Sequence, residues 1–359
     1  MRVLHPGRWN RLDGPDFRGA RLRLGDGPEI SGDIEVHLYA RDWAAHGHAR
    51  DPAYDGVVLH VVLFSPEGPA ETRGAGGRNI PILALLPLLR RDLEEIAADE
   101  AVERLAGRPP PSPGGELDAC GGPDLPALLR DRAEMRWRQK VRHTRWRIRR
   151  LGWEEACHHA ALEILGYRFN RAPMLRLAGR FPARDWGTID PDRAYADETN
   201  RWNLRGVRPA NHPRLRLRQY AAWTRARPGW PAGLAEWSER LPAMSADAPT
   251  RAVRRSPAFV RLHNALARTA GGAVAGRGRF DTLVCDGFLP LLAARAGSSA
   301  APLFPLWHHW FAGDLPDVIS RELRRLGACG GRDRPLCHGM AQGLLGWMIE
   351  REERVVGAR

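Results

Sequence analysis

The stretch SGDIEVHLYARDWAAHGHARDPAYDGVVLHVVLF, residues 31–64, decides the fold, together with the preceding segment GRWNRLDGPDFRGARLRL at 7–24. Short β-prone runs occupy 21–24, 34–39 and 57–64 and are separated by turn sequences that contain Gly and Asp. The third run is apolar at nearly every position, which is typical of a strand covered on both faces. The sequence therefore predicts a small mixed β-sheet near the N-terminus.

Histidines and carboxylates are concentrated in this same region. Side chains alternate between the two faces of a strand, so Glu35 and His37 are expected to project together. His60 lies within the most apolar run, where a buried polar ring needs a hydrogen-bond partner. His46 and His48 can converge only if the backbone between them leaves the regular helix, which a glycine at position 47 permits.

The order of these residues resembles the core of PD-(D/E)-x-K nucleases. Asp16 follows a Gly-Pro turn at a strand entry, and the next strand carries Glu35 and His37, with His37 where that pattern has lysine. In such cores two carboxylates hold a divalent cation such as Mg²⁺, and the third residue polarises the attacking water. The predicted catalytic residues are therefore Asp16, Glu35 and His37.

Nearby imidazoles would favour a softer metal, Zn²⁺ or Mn²⁺, over Mg²⁺. The alternative is a purely structural region in which a carboxylate caps a turn and the histidines satisfy internal hydrogen bonds. The predicted metal ligands are the acidic and imidazole side chains of Asp16, Glu35, His46, His48 and His60.

These two N-terminal segments closely resemble the signature of the bacterial family catalogued as domain of unknown function 2851. The similarity continues through 153–178 and 204–222, and more loosely to the end of the chain. The resemblance identifies the residues of this chain that match the family motif, but it implies no activity. Beyond the ligands, the matching positions expected to support the site are Asn10, Asp42, Trp43 and Tyr54.

The chain departs from the family pattern at both ends. It begins almost at the Gly-x-x-Asn motif, whereas members of the family carry a further helical segment before it. Many members end in a cysteine cluster, of which only Cys329, Cys337 and His338 remain here. A zinc site at the C-terminus is therefore not expected.

The predicted fold class is α+β with two domains. A helix is expected from Ile80 towards Leu105, which would complete an N-terminal mixed domain at 1–107 with a restriction-endonuclease-like sheet. The Pro/Gly-rich segment 108–124 is interpreted as a linker. The remaining residues, 125–359, have helical periodicity and are rich in arginine.

The formal net charge of +13 indicates an anionic partner, most often nucleic acid. Of the 55 basic residues, only Lys140 is not arginine. The first basic segment, 136–150, is interleaved with tryptophans; the second is 205–219. Either segment could instead be a solvated helix face. The second could also be a surface that packs on the N-terminal domain. The candidate nucleic-acid contacts are Arg136, Arg138, Lys140, Arg142, Arg145, Arg147, Arg208, Asn211, Arg214, Arg216 and Arg218.

No P-loop, Rossmann, zincin or α/β-hydrolase motif occurs, which argues against those chemistries. Five widely spaced cysteines and the lack of a signal-like apolar core indicate a cytoplasmic protein with neither a disulfide framework nor a membrane anchor. The leading hypothesis is a metal-dependent, nuclease-like phosphodiesterase that acts on DNA or RNA. The alternatives are a non-catalytic nucleic-acid or ribonucleoprotein-binding protein and a metallohydrolase of a small anionic substrate.

Overall fold

The computed structural model divides the chain into two compact units, Met1–Arg90 and Arg91–Arg359. The first contains a mixed sheet and the second is mainly helical, so the predicted α+β class is confirmed. The predicted linker lies outside the described residues. Those residues are 1–10, 13–63, 66, 71–85, 125–239, 241–271, 275–297 and 301–357.

The N-terminal unit is built on a six-stranded sheet of order β1-β3-β4-β5-β8, with β2 paired to β3. β3 and β4 form an antiparallel pair, and β5 and β8 continue the sheet in the direction parallel to β4. This arrangement makes β4 and β5 central strands. The strands are β1 (Arg2–His5), β2 (Arg8–Trp9), β3 (Phe17–Arg23), β4 (Glu29–His37), β5 (Val57–Val62), β6 (Thr72–Arg73), β7 (Asn79–Ile80) and β8 (Ile82–Ala84).

The prediction of a helix beginning at Ile80 is wrong for the described part of that segment. Asn79–Ile80 pairs with β6, and Ile82–Ala84 pairs in parallel with β5. The β-branched isoleucines on either side of Pro81 favour extended backbone, and the carbonyl of Pro81 accepts a 3.0 Å hydrogen bond from the backbone N–H of His60. Residues from 86 to 124 lie outside the described residues.

A short segment between β4 and β5 carries two of the predicted histidines. It begins with α1 (Asp42–Ala45), and the turns His48–Arg50 and Pro52–Tyr54 follow. The buried indole of Trp43 packs with Val57 and Ile80 and so fixes this segment against the sheet. The position of both histidines is therefore set by the packing of one tryptophan.

The second unit is a helical bundle whose core contains the fully buried rings of Trp186, Tyr220, Trp307 and Trp310. The predicted break at Gly152 separates its first two helices. None of the described helices is long and apolar enough to cross a bilayer. The helices are α2 (Leu125–Leu151), α3 (Trp153–Leu165), α4 (Tyr167–Arg180), α5 (Pro191–Asp197), α6 (Pro213–Ala226), α7 (Trp230–Ser238), α8 (Thr250–Arg255), α9 (Pro257–Thr269), α10 (Arg277–Thr282), α11 (Leu289–Ala296), α12 (Leu303–His309), α13 (Asp317–Arg325) and α14 (His338–Gly357), with one π-helical segment at Leu283–Phe288.

Candidate metal centre in the N-terminal sheet

The end of β4 is polar on its buried side and apolar on its exposed side. Glu35 and His37 are buried, whereas Val36 and Leu38 are 38% and 56% exposed. In an ordinary half-covered strand the apolar residues face the core. The inversion means that the sheet encloses a polar site at this point rather than an extension of its hydrophobic core.

Three histidine side chains, of which His46 is exposed, converge at this end of β4. Nε2 of His37 lies 3.1 Å from Nδ1 of His46 and 3.3 Å from Nε2 of His48. The three nitrogens form a group that could hold one metal ion, since all lie within 4.8 Å of one another. Ligands about 2.0–2.1 Å from a tetrahedral zinc ion are about 3.3 Å apart, so the observed spacing fits one shared ion.

The convergence depends on the backbone conformation of Gly47. Its φ of +75° lies in the left-handed region, which ends α1 at His46 and starts the next turn at His48. The two side chains then point to the same place, although they are only two positions apart. The expected irregular backbone at position 47 is thus present.

The carboxylate of Glu35 faces the same group. Its Oε1 lies 3.4 Å from Nε2 of His37 and 3.6 Å from Nε2 of His48. Its Oε2 accepts a 3.2 Å hydrogen bond from the backbone N–H of Asp16. One oxygen is therefore anchored to the chain and the other is directed at the imidazoles.

A line of hydrogen bonds continues behind His37. Its Nδ1 lies 2.9 Å from Nε2 of His60, and Nδ1 of His60 lies 2.7 Å from Oγ1 of Thr72. If each ring donates outward along this line, Nε2 of His37 carries a lone pair directed at the cluster. A partner on the far nitrogen of a metal-binding histidine is the usual way to fix its tautomer and ring orientation.

Burial favours the neutral form of His37, His48 and His60 and raises the affinity of Glu35 for a proton. Desolvation, followed by the charges of neighbouring histidines, lowers the pKa values of His37 and His48, and brings that of His60 to about 4. Desolvation and the nearby charge of Asp16 raise the pKa of Glu35 to about 7. Neutral imidazoles offer the lone pairs that a metal requires.

The predicted supporting residues surround the cluster. The Asn10 amide donates to the carbonyls of Asp13 and Pro15 and so shapes the turn before Asp16. The carboxylate of Asp42 accepts from the N–H of Tyr39 at 2.9 Å. Trp43 donates to the carbonyl of Arg73, and the ring of Tyr54 stacks on His48 with centroids 3.8 Å apart. The contacts of Asp42, Trp43 and Tyr54 hold the segment that carries His46 and His48, whereas those of Asn10 hold the turn that carries Asp16.

Two predicted ligands, Asp16 and His60, lie outside the group of three possible metal ligands found among the described residues, and their role as ligands stays a prediction. Oδ2 of Asp16 accepts a hydrogen bond from the N–H of Val36 at 2.9 Å, so the carboxylate fastens the turn to β4. His60 lies behind His37, and His37 itself belongs to the group of possible ligands. The relative depth of two histidines on adjacent parallel strands depends on strand register, which the sequence alone does not define. Thr72 was missed, because a lone threonine in a short strand gives no signal.

The first basic segment divides between the interior and the surface of α2. Arg136 is buried and donates to Gln342, Lys140 pairs with Asp286 at 3.3 Å, and Arg147 pairs with Glu163. These three predicted nucleic-acid contacts therefore support the bundle, because they lie on the side of α2 that packs against other helices. The remaining predicted contacts of this segment, Arg138, Arg142 and Arg145, are exposed.

Several arginines of the second basic segment contact other residues of the helical unit. Arg216 is buried and donates to Oδ1 of Asn211 and to the carbonyl of Ala275. Arg214 and Arg218 are exposed, but both bind the carboxylate of Asp192. Arg208 is exposed. Arg216 is thus a structural residue of the helical unit, whereas nucleic-acid contact by Arg208, Arg214 and Arg218 stays a prediction.

Four cysteines of the described residues, Cys157, Cys285, Cys329 and Cys337, are free and buried. Cys120 lies outside the described residues. Burial raises the pKa of the Cys337 thiol, which opposes formation of the thiolate that binds zinc. Neither Cys337 nor His338 belongs to the group of possible metal ligands found among the described residues.

The fold and site define an α+β protein with a histidine-rich candidate metal centre in its N-terminal sheet. Residues 1–192 match the family model described as "Protein of unknown function (DUF2851)". The match covers more than half of the 359 residues, so the chain belongs to this family, as its N-terminal motifs predict. No curated protein and no solved structure matches the chain.

Proposed function

We propose that this protein is a metal-dependent hydrolase whose substrate is a phosphodiester of DNA or RNA. The observation that carries the proposal is the convergence of His37, His46 and His48 with the carboxylate of Glu35 on the buried side of β4. Glu35 and His37 are buried, whereas His46 is exposed. Enclosing such polar groups is costly unless they have a partner.

The donor set favours a transition metal over Mg²⁺. Imidazole nitrogens suit Zn²⁺ and Mn²⁺ better than Mg²⁺, which prefers oxygen ligands and retains several waters. His37, His46 and His48 would hold the ion, and Glu35 lies within reach of the same place. When bound, such an ion supplies Lewis acidity and lowers the pKa of a coordinated water.

The remaining residues hold and move protons around this place. Glu35 is suited to accept a proton from water, because Oε1 is directed at the cluster. The backbone N–H of Asp16 holds the other oxygen. His60 and Thr72 orient the ring of His37 and so position the first ligand.

A phosphodiester is the substrate class that the charge of the chain favours. A net charge of +13 concentrates polyanions near the protein and accelerates their encounter. Phosphodiester hydrolysis also benefits from the charge stabilisation that a metal ion supplies. A small anionic ester is the second substrate class that this site could serve.

The substitution Glu35→Gln tests the proposal. We expect it to retain bound metal and native circular dichroism but to lower hydrolysis by about 10²–10⁴-fold, the usual effect of removing a general base. Hydrolysis is measured with Zn²⁺ or Mn²⁺ on labelled single-stranded DNA, RNA and duplex DNA, and on bis(p-nitrophenyl) phosphate.

The matched control is Glu29→Gln, which removes the same charge from an exposed position of β4. It should hydrolyse like the native chain. Equal activity of the Glu35→Gln variant, or no turnover by the native chain with either metal, contradicts the proposal. Turnover of bis(p-nitrophenyl) phosphate without cleavage of any polynucleotide would contradict DNA or RNA as the substrate and assign a small anionic ester instead.

A further inference from the structure

The exposed face of α2 carries a row of arginines. Arg138, Arg142, Arg145 and Arg149 are exposed and follow one another at intervals of four, three and four residues. Residues at these intervals lie on one side of an α-helix. With a rise of 1.5 Å per residue, the row is about 16 Å long.

Most of these guanidinium groups are free of acidic partners among the described residues. Arg138 pairs with Glu134 at 2.6 Å, but Arg142, Arg145 and Arg149 make no ion pair with any residue of the described ranges, and neither does the adjacent, exposed Arg150. They differ in this from Arg214 and Arg218 on α6, which share Asp192. The positive charge of the α2 face is therefore available to an external anion.

An aromatic ring borders this row. The side chain of Trp146 is 62% exposed, and the guanidinium of Arg149 lies 5.4 Å from the centre of its ring. A single exposed apolar side chain is ordinary, but an indole bordered by four arginines without an ion pair to any described side chain presents a stacking surface beside phosphate-binding groups. The two features together match how proteins bind unpaired nucleic-acid strands.

The opposite side of α2 keeps the row in place. Ala133 and Trp137 lie in the main hydrophobic core, Val141 and Ile148 pack against it, and the helix packs along α14 and α11. The arginines are thus presented on a rigid helix of 27 residues, so little backbone order is lost on binding.

We infer that the exposed face of α2, formed by Arg138, Arg142, Arg145, Trp146, Arg149 and Arg150, binds single-stranded nucleic acid. The arginines contact successive phosphates, and an unpaired base stacks on Trp146. A duplex offers no free base for this ring, so the surface prefers a single strand. The inference goes beyond the proposed hydrolysis, because it concerns binding in the second unit and can be tested without metal.

The test measures binding of the full chain to a fluorescein-labelled 20-mer of deoxythymidine by anisotropy, in EDTA and over a series of salt concentrations. We expect Arg142→Ala/Arg149→Ala to weaken binding at least tenfold and to reduce the salt slope by about 1.4, since each phosphate contact on a single strand contributes about 0.7. Trp146→Ala should weaken binding by about 5–150-fold, with partial rescue by Trp146→Phe.

The control is Arg214→Ala/Arg218→Ala, which removes the same number of positive charges from exposed positions that already bind Asp192. It should change the affinity less than twofold. An equal loss in both double variants would overturn the inference, because binding would then depend only on net charge.

Two other results would also overturn it. Tighter binding of the matched duplex than of the single strand would exclude stacking on Trp146. Binding to vesicles that contain phosphatidylserine, with none to the 20-mer, would assign the α2 face to a membrane surface. Because chelated protein is used, a failure here does not affect the proposed hydrolysis, and a failure of hydrolysis leaves this binding intact.

Discussion

Two buried histidines of the helical unit, His158 and His309, differ from those of the N-terminal sheet in what their ring nitrogens face. Nδ1 of His158 lies 2.7 Å from the hydroxyl of Tyr220, and its Nε2 lies 3.0 Å from the carbonyl of Phe181. His309 similarly faces Oγ1 of Thr250 and the carbonyl of Ser245. Each ring has one acceptor and one group that can donate, so a neutral tautomer satisfies it completely.

The sheet histidines face one another instead. Nε2 of His37 meets a nitrogen of His46, a nitrogen of His48 and an oxygen of Glu35 at 3.1–3.6 Å. A neutral imidazole has one N–H and an ionised carboxylate has none, so few protons are available where these four groups meet. Desolvation lowers the pKa of His37 and of His158 alike, so burial does not distinguish the two environments. The convergence of three ring nitrogens and a carboxylate oxygen does.

The largest expected effect is the loss of metal affinity in Thr72→Val. This substitution removes the last hydrogen-bond partner in the line behind His37. Without Oγ1 of Thr72, the ring of His60 loses the partner that fixes its tautomer. Loss of such a supporting contact usually lowers metal affinity by about 10–100-fold. We expect this decrease for Zn²⁺ in competition titrations against a chromophoric chelator.

Thr188→Val is the control for that substitution, because Thr188 is an exposed residue of the helical unit. Its metal affinity should equal that of the native chain. Unchanged affinity in the Thr72→Val variant would mean that the line from His37 to Thr72 does not support a metal ligand.

A smaller effect is expected of pH on the free energy of unfolding of the helical unit. Burial lowers the pKa of His158 to about 3, below its ordinary value of about 6.5. Between these values the unfolded chain binds a proton that the folded chain does not, so stability falls as the pH is lowered from 6.5. Each such histidine contributes up to about 1.4 kcal/mol per pH unit.

His158→Phe should reduce the pH dependence of the free energy of unfolding between pH 5 and 6 by up to this amount, although the variant is less stable at pH 7. Urea unfolding followed by the helical dichroism measures both quantities. His5→Phe, at an exposed position of β1, is the matched substitution and should leave the slope as it is. A native slope in His158→Phe would show that His158 is not kept neutral by burial.

The alternation of Glu35 and His37 on one strand and the irregular backbone at Gly47 could be predicted from the sequence, because both follow from local geometry. The α+β class and the break at Gly152 could also be predicted. The positions of His60 and Thr72 behind His37 could not, since they depend on the register between strands that are distant in sequence.

The same limit applies to the basic residues. Alternation of arginine and tryptophan in 136–150 indicates a basic helix, but Arg136, Lys140 and Arg147 could be assigned to its packed side only once the neighbouring helices were known. At 79–84 the sequence pattern led to the wrong type of element, because a helix is expected there and strands are present. A run rich in leucine and isoleucine does not by itself distinguish a helix from a strand at the edge of a sheet.

The most direct test of the metal centre is the metal stoichiometry of the purified chain, measured by native mass spectrometry after equilibration with Zn²⁺ and removal of free metal. We predict one ion per chain in the native protein and in His158→Phe, and none in the folded triple variant His37→Ala/His46→Ala/His48→Ala. A native chain without bound metal, or a triple variant that retains it, would contradict the assignment of these three histidines as a metal centre.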